Sequence, residues 1–267
     1  MVRWVGTTAA ATAVLGMALV APVATASVST AGIAANACEL GPKASCAGVD
    51  LSGRNLSGAD LRGADFHGAD LHETNLRGAN LSGANLREAD LRDANLTEAD
   101  LSQAHLAKAK LGGAELPRAD LSSAYLGGAN LRYANLRDAD LRYALLFAAN
   151  LGYANLRDAN MRNAALSGAD LFSANLRDAI LSGALLYAAN LSHADLRRAN
   201  LIDARLIQAD LRQANLSWAD LSGADLSGAD LKYADLTGVD LKDANLVEAR
   251  WPNGRICGPG SIGECRP

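Results

Sequence analysis

From Leu51 to Leu246 every fifth residue is large and apolar, forty positions in succession, of which thirty-eight are Leu and the other two are Phe66 and Met161. The residue two before each of them is nearly as constant. From Ala59 to Ala249 it is Ala, with Thr74 and Val239 as the exceptions. Neither regular secondary structure puts a period of five on one side: five residues turn an α-helix by about 500°, and an odd step along a strand reverses the face. The pattern predicts a chain that bends every five residues, each short side carrying one large and one small inward side chain.

The position before each Leu is Asp or Asn in all but nine of the forty cases. Six of the nine exceptions, His105, Tyr125, Leu145, Ala165, Leu185 and Arg205, recur at intervals of twenty. This interval predicts four pentapeptides per turn, so residues twenty apart stack in columns and residues 49–250 form a four-sided, all-β solenoid of about ten coils. At about 4.8 Å between neighbouring strands, the rod is about 48 Å long. Asp and Asn suit its corners because their side chains hydrogen-bond nearby backbone groups and tolerate turn conformations. That structural role accounts for these carboxylates better than a catalytic one.

Units such as Ala-Asp-Leu-Arg-Gly, Ala-Asn-Leu-Ser-Gly and Ala-Asn-Leu-Arg-Asp resemble those of the pentapeptide-repeat family. The resemblance implies a right-handed quadrilateral parallel β-helix, with Leu or Phe stacked in the core and Ala beside it. It also implies an alternative function, because some members of the family mimic DNA in shape and charge and bind type II topoisomerases. The acidic column Asp60, Asp100, Asp120, Asp140, Asp220 and Asp240 suits that alternative. An export signal, an unbroken repeat and cysteine-bearing ends do not.

Residues 1–26 read as a secretory signal peptide: Arg3 is followed by an Ala/Val/Leu-rich stretch, and Ala24-Thr25-Ala26 is an A-x-A ending. Residues 27–37 read as a small-residue linker. Export gives the four cysteines a disulfide role. They form two equally spaced pairs, Cys38 with Cys46 before the repeats and Cys257 with Cys265 after them, each pair enclosing Gly-Pro. Bridged Cα atoms lie about 4.4–6.8 Å apart, so the two ends of the rod cannot be joined and the pairs are Cys38–Cys46 and Cys257–Cys265. Residues 38–48 and 251–267 then become disulfide caps that protect the terminal edges of the solenoid. Trp251 falls on the Leu phase, placed to plug the open core, and Pro252 has no N–H to continue the ladder.

The formal net charge is −4, and about −5 once Arg3 is removed with the signal peptide. No basic stripe of the kind that binds nucleic acid is present. Arg137, Arg157, Arg177 and Arg197 stack beside Asp138, Asp158 and Asp178, which reads as a screened surface. The four His are scattered along the coils, without the ligand spacing of a metal site. The chain is therefore read as non-enzymatic, with no cofactor, no metal, no nucleic-acid partner and no membrane segment in the mature form.

One column departs from the polar rule. Tyr125, Leu145, Phe147, Leu185, Tyr187 and Ile207 gather over the middle coils, flanked on the preceding face by Tyr143, Ile180 and Ile202. Monomeric soluble proteins rarely expose large contiguous apolar patches, and aromatic residues with few charges match the centre of an interface. The expectation is a protein partner, or a side-by-side homodimer, bound through this column. An inert structural spacer is the remaining alternative. Stacking against a sugar polymer, with Tyr133 and Tyr153 on the next face, is a further reading that lacks a groove at the level of sequence.

Overall fold

The computed structural model describes residues 38–266. The predicted signal peptide and linker lie outside them. Residues twenty apart pair by parallel β-bridges in an unbroken series, from Ser45↔Asp65 to Asp230↔Arg250. The four-sided coil predicted from the spacing of the exceptions is thus the observed one. Leu, Phe66 and Met161 fill its interior with the Ala columns beside them, almost all at 0–2 % exposure. Thr74, an exception in the Ala column, is accommodated because its hydroxyl donates to the Leu51 carbonyl at 3.0 Å.

An interior pentapeptide with an Asp or Asn corner places all five of its backbone N–H groups, the accounting that a buried chain must satisfy. In the repeat at residues 130–134, Asn130 donates to Ala109 of the preceding coil, whereas Leu131 and Tyr133 donate to Asn150 and Gly152 of the next. Ala134 closes a turn onto the Leu131 carbonyl at 3.0 Å. The remaining donor, Arg132, finds the Asn130 side-chain oxygen at 3.1 Å. The same side-chain bond, from the residue two further on, recurs at every one of the thirty-one Asp and Asn corners at 2.8–3.4 Å. Corner Asn side chains also bond up the columns, as Asn175 does to Asn155 and Asn155 to Asn135, both at 3.3 Å. At the Glu115 corner the residue two further on is Pro117, which has no N–H to satisfy.

The second residue after each Leu has positive φ, between +51° and +71° across the repeats. With the Leu carbonyl bonded to the Ala N–H three residues later, this is the geometry of a type II turn, which favours Gly at its third position. Gly occupies many of these sites. Ala148 and Ala188 adopt the same conformation, at +52° and +51°, despite the strain it imposes on a residue with a Cβ.

Both ends carry disulfides, Cys38–Cys46 with Cα atoms 5.2 Å apart and Cys257–Cys265 at 5.0 Å. Pairing at the first end reaches Ser45, so Cys46 occupies the Leu phase and is buried at 2 % exposure while also carrying its bridge. At the far end the chain reverses. Ile256 and Ile262 pair antiparallel with Arg250 and Asn245, laying the tail over part of the last coil. Trp251 is half-buried against the core, and Ser261 is fully buried, its hydroxyl donating to the Gly258 carbonyl at 2.8 Å.

Two substitutions separate the two stabilising devices. Leu126→Ala leaves a cavity in mid-column and is expected to lower the unfolding free energy by about 2–5 kcal/mol in urea titrations. Asn155→Ala removes a turn acceptor and two column bonds but no core volume, and is expected to cost about 1–2 kcal/mol. Equal effects from the two would contradict this division of labour.

Candidate interaction surfaces

The nine corners without Asp or Asn have no substitute for the missing acceptor. Six of them stack in the column His105, Tyr125, Leu145, Ala165, Leu185 and Arg205, joined by consecutive bridges. The N–H groups of Ala107, Gly127, Phe147, Ser167, Tyr187 and Ile207 therefore lie in a row along the rod without the side-chain bond made at the thirty-one other corners. Around them are the exposed rings and aliphatic chains expected from the sequence. Tyr125, Phe147 and Tyr187 are 45–49 % exposed and Leu185 is 38 % exposed.

Leu145, Ile180, Ile202 and Ile207 are half-buried. His105 and Tyr125 stack at 4.7 Å between ring centroids, and the Tyr187 hydroxyl donates to Gln208 Oε1 at 2.8 Å. Ala165, buried at 5 % exposure, and Ser167 divide the column into an upper group, Leu145 with Phe147, and a lower group, Leu185 with Tyr187 and Ile207. On the flanking face Ile180 and Ile202 lie in adjacent coils. Tyr143, 56 % exposed, stands two coils from Ile180 and three from Ile202.

A second surface was only partly visible in the sequence. The turn residues of the next face carry Tyr133, Tyr153, Phe172, His193 and Tyr233 in register. Tyr133 and Tyr153 stack at 5.1 Å, Phe172 meets Tyr153 edge-on at 5.4 Å, and His193 meets Phe172 at 5.2 Å. Arg132 lies over both Tyr133 and Tyr153, at 4.7 and 5.1 Å from the ring centres, and Lys232 lies 4.7 Å over Tyr233. Between His193 and Tyr233 one coil has no ring, and there a shallow depression of about 260 Å³ opens. The signal was the twenty-residue register, which aligns these rings although they occupy either of two adjacent turn positions.

Apart from Trp218, which is 67 % exposed, much of the remaining surface is charged, with many of the charges paired. Arg157 and Arg177 approach Asp158 and Asp178 at 3.2 and 3.3 Å, misaligned for hydrogen bonds, so these contacts are ion pairs only. Arg198 pairs with Asp178 at 3.0 Å. Such exposed pairs contribute little individually. Among the described residues no group of three or more His, Cys, Asp or Glu is arranged to hold a metal ion.

Several corner carboxylates also hold an Arg two residues on in a fork. Asp90 is held down at a pKa of about 2 by the side-chain hydrogen bonds of Arg92, against the opposing effect of burial, and with help from the Arg92 backbone N–H and the charges of Arg92 and Lys110. Asp60 and Asp195 are lowered in the same way by Arg62 and Arg197.

The chain matches the Pentapeptide repeats family in eight copies spanning residues 44–83, 84–122, 119–146, 139–178, 179–217 and 209–246, and it belongs to that family. Membership implies the right hand of the coil. Among solved structures it is similar to HetL, a pentapeptide repeat protein involved in heterocyst differentiation regulation in the cyanobacterium Nostoc sp. strain PCC 7120, with 39 % identity, 79 % of this chain and 91 % of that chain covered, and a TM-score of 0.47. It is also similar to full-length QnrB1, a plasmid-mediated fluoroquinolone resistance protein, at 21 % identity over 73 % of this chain and 92 % of that chain, with a TM-score of 0.38. A third is a pentapeptide repeat protein of the Arabidopsis thaliana thylakoid lumen, at 25 % identity over 45 % and 70 % of the two chains, with a TM-score of 0.23. No curated protein matches the chain.

The Arg forks set a pH dependence. A carboxyl whose folded pKa lies below its usual 3.8 stabilises the fold above that value and loses the contribution as pH falls through the folded one. Stability is therefore expected to decline from about pH 3.8 towards pH 2, the value for Asp90, and Arg92→Ala is expected to shallow that decline. Urea unfolding between pH 5 and pH 2 reads both, and a decline that the variant leaves unchanged would contradict the assignment.

Proposed function

We propose that this chain is an exported, non-enzymatic rod of about ten coils that docks a protein, either a second copy or another molecule outside the cell, through the apolar column on its middle coils. Residues 1–26 are a removable signal peptide, 27–37 a linker, and 38–48 and 251–267 the caps of the solenoid at 49–250. The observation that carries the reading is the pairing of two costs on one column. Leu185 is exposed and Leu145 half-exposed beside the exposed Phe147 and Tyr187, and both Leu also forgo the corner hydrogen bond that Asp or Asn makes elsewhere. Drift in a tolerant repeat spreads such exceptions over four faces, whereas six of nine lie on one.

Export is supported by two disulfides at the ends, which persist in oxidising compartments. Among the described residues no helix is long and apolar enough to cross a membrane. The DNA-mimic reading is weakened by the acidic column itself. Asn160, Ile180 and Asn200 interrupt it in consecutive coils, and Arg62 and Arg142 neutralise Asp60 and Asp140.

The double variant Leu145→Asp, Leu185→Asp tests the docking because it restores both corner acceptors while charging the apolar face. It is expected to melt no lower than the parent protein, each restored hydrogen bond being worth about 0.5–1.5 kcal/mol. Sedimentation of the mature chain, alone and with a cell-envelope extract, is expected to show a species larger than the monomer, and the variant is expected to stay monomeric. A parent chain that sediments as a monomer in both conditions would contradict the proposal.

A further inference from the structure

The aromatic strip differs in chemistry from the apolar column and needs its own account. Its rings are interleaved with the cations Arg132, Arg212 and Lys232, of which Arg212 is paired and the other two are not. Arg212 is forked onto Asp210 by hydrogen bonds of 2.8 and 2.5 Å, and Asp230 lies 3.4 Å from Arg250. Arg132 and Lys232 have no carboxylate within ion-pair distance among the described residues, and each lies over a Tyr ring instead. Asp170, at the corner before Phe172, is occupied by the Phe172 N–H and the Asn190 amide.

The depression is a break in a ladder. His193 and Tyr233 are two coils apart, about 9.6 Å at the strand spacing of a β-structure, and the coil between them contributes Arg212 and Gln213 rather than a ring. One flat ring between them would lie about 4.8 Å from each, within the 4.5–7 Å over which ring groups pair favourably. The volume of about 260 Å³ falls below the range of pockets for drug-sized ligands, so it suits one ring of a larger molecule. The flanking Tyr133, Tyr153 and Phe172 repeat the same chemistry at coil intervals along the rod. A site extended in one dimension and repeating at a fixed interval fits a polymer.

We propose that this strip binds an anionic polysaccharide laid along the rod, with one sugar ring seated between His193 and Tyr233 and the acid groups of the polymer meeting Lys232 and, further along, Arg132. Sugar rings present C–H faces to aromatic side chains and hydroxyls to donors such as Gln213. Acid groups complement the two cations that the protein leaves unpaired. Single-stranded nucleic acid also combines rings with negative charge, but its binding rests on a continuous positively charged groove that tracks the backbone, and the two unpaired cations here stand five coils apart. The strip lies on a different face from the docking column, so the two proposals stand or fall separately.

Affinity electrophoresis and calorimetry with polygalacturonate, with dextran as its neutral counterpart and with single-stranded DNA test the proposal on the full mature chain. Polygalacturonate is expected to bind, and dextran at least roughly tenfold more weakly. Tyr233→Ala and Lys232→Gln are expected each to weaken binding roughly three- to tenfold without changing the melting temperature, since both side chains lie on the surface. Leu145→Asp with Leu185→Asp is expected to leave it unchanged. The proposal is overturned if polygalacturonate does not bind, if Tyr233→Ala and Lys232→Gln bind it as the parent does, or if single-stranded DNA binds as tightly.

Discussion

The structure depends on a single constraint, that a pentapeptide turning through a quarter of a coil has five backbone N–H groups to place and backbone acceptors for only four of them. Two bonds reach forward to the next coil, one reaches back and one closes the turn. The fifth donor points to no backbone acceptor, and the corner Asp or Asn supplies one from its own side chain. The Leu column provides the burial that holds the coil together, and the corner side chains make the bend compatible with a satisfied backbone. Neither device suffices alone, and stability accumulates from coil to coil as in other solenoids.

Much of this was legible in the sequence because the period is strict. The phase of Leu, the inward Ala and the interval between exceptions predicted a four-sided coil, and the cysteine spacing predicted both bridges. Less visible was why the corner is Asp or Asn at all. Its acceptor role shows only when the N–H of the residue two further on is followed to its partner, and Pro117 after Glu115 is the one place where the sequence carried that logic openly. The positive φ two residues after each Leu was also hidden, because Tyr, Asp, Glu and Ala share those sites with Gly. The aromatic strip is harder to see beyond Tyr133 and Tyr153 because Phe172 sits one position earlier in its turn and the coil at Arg212 and Gln213 carries no ring, which interrupts the series before Tyr233.

The same constraint separates surface from function. Where a corner keeps Asp or Asn, its side chain is engaged in the fold, and this holds for most of the carboxylates that a search for catalytic or DNA-mimicking charge would notice. Where a corner gives up that residue, an amide is left without its internal partner and the column becomes available to something else. The middle coils concentrate such corners on one side and surround them with exposed rings. The strip on the next face keeps its corner bonds and varies only its turn residues, so its chemistry is added to an intact frame.

Backbone amide hydrogen exchange, resolved residue by residue, tests the corner rule most directly. The amides two residues after Asp and Asn corners are expected to be protected, whereas those of Ala107, Gly127, Phe147, Ser167, Tyr187 and Ile207 are expected to exchange much faster in the free protein. Uniform protection of both sets would contradict the rule, and with it the distinction between that column and the rest of the rod.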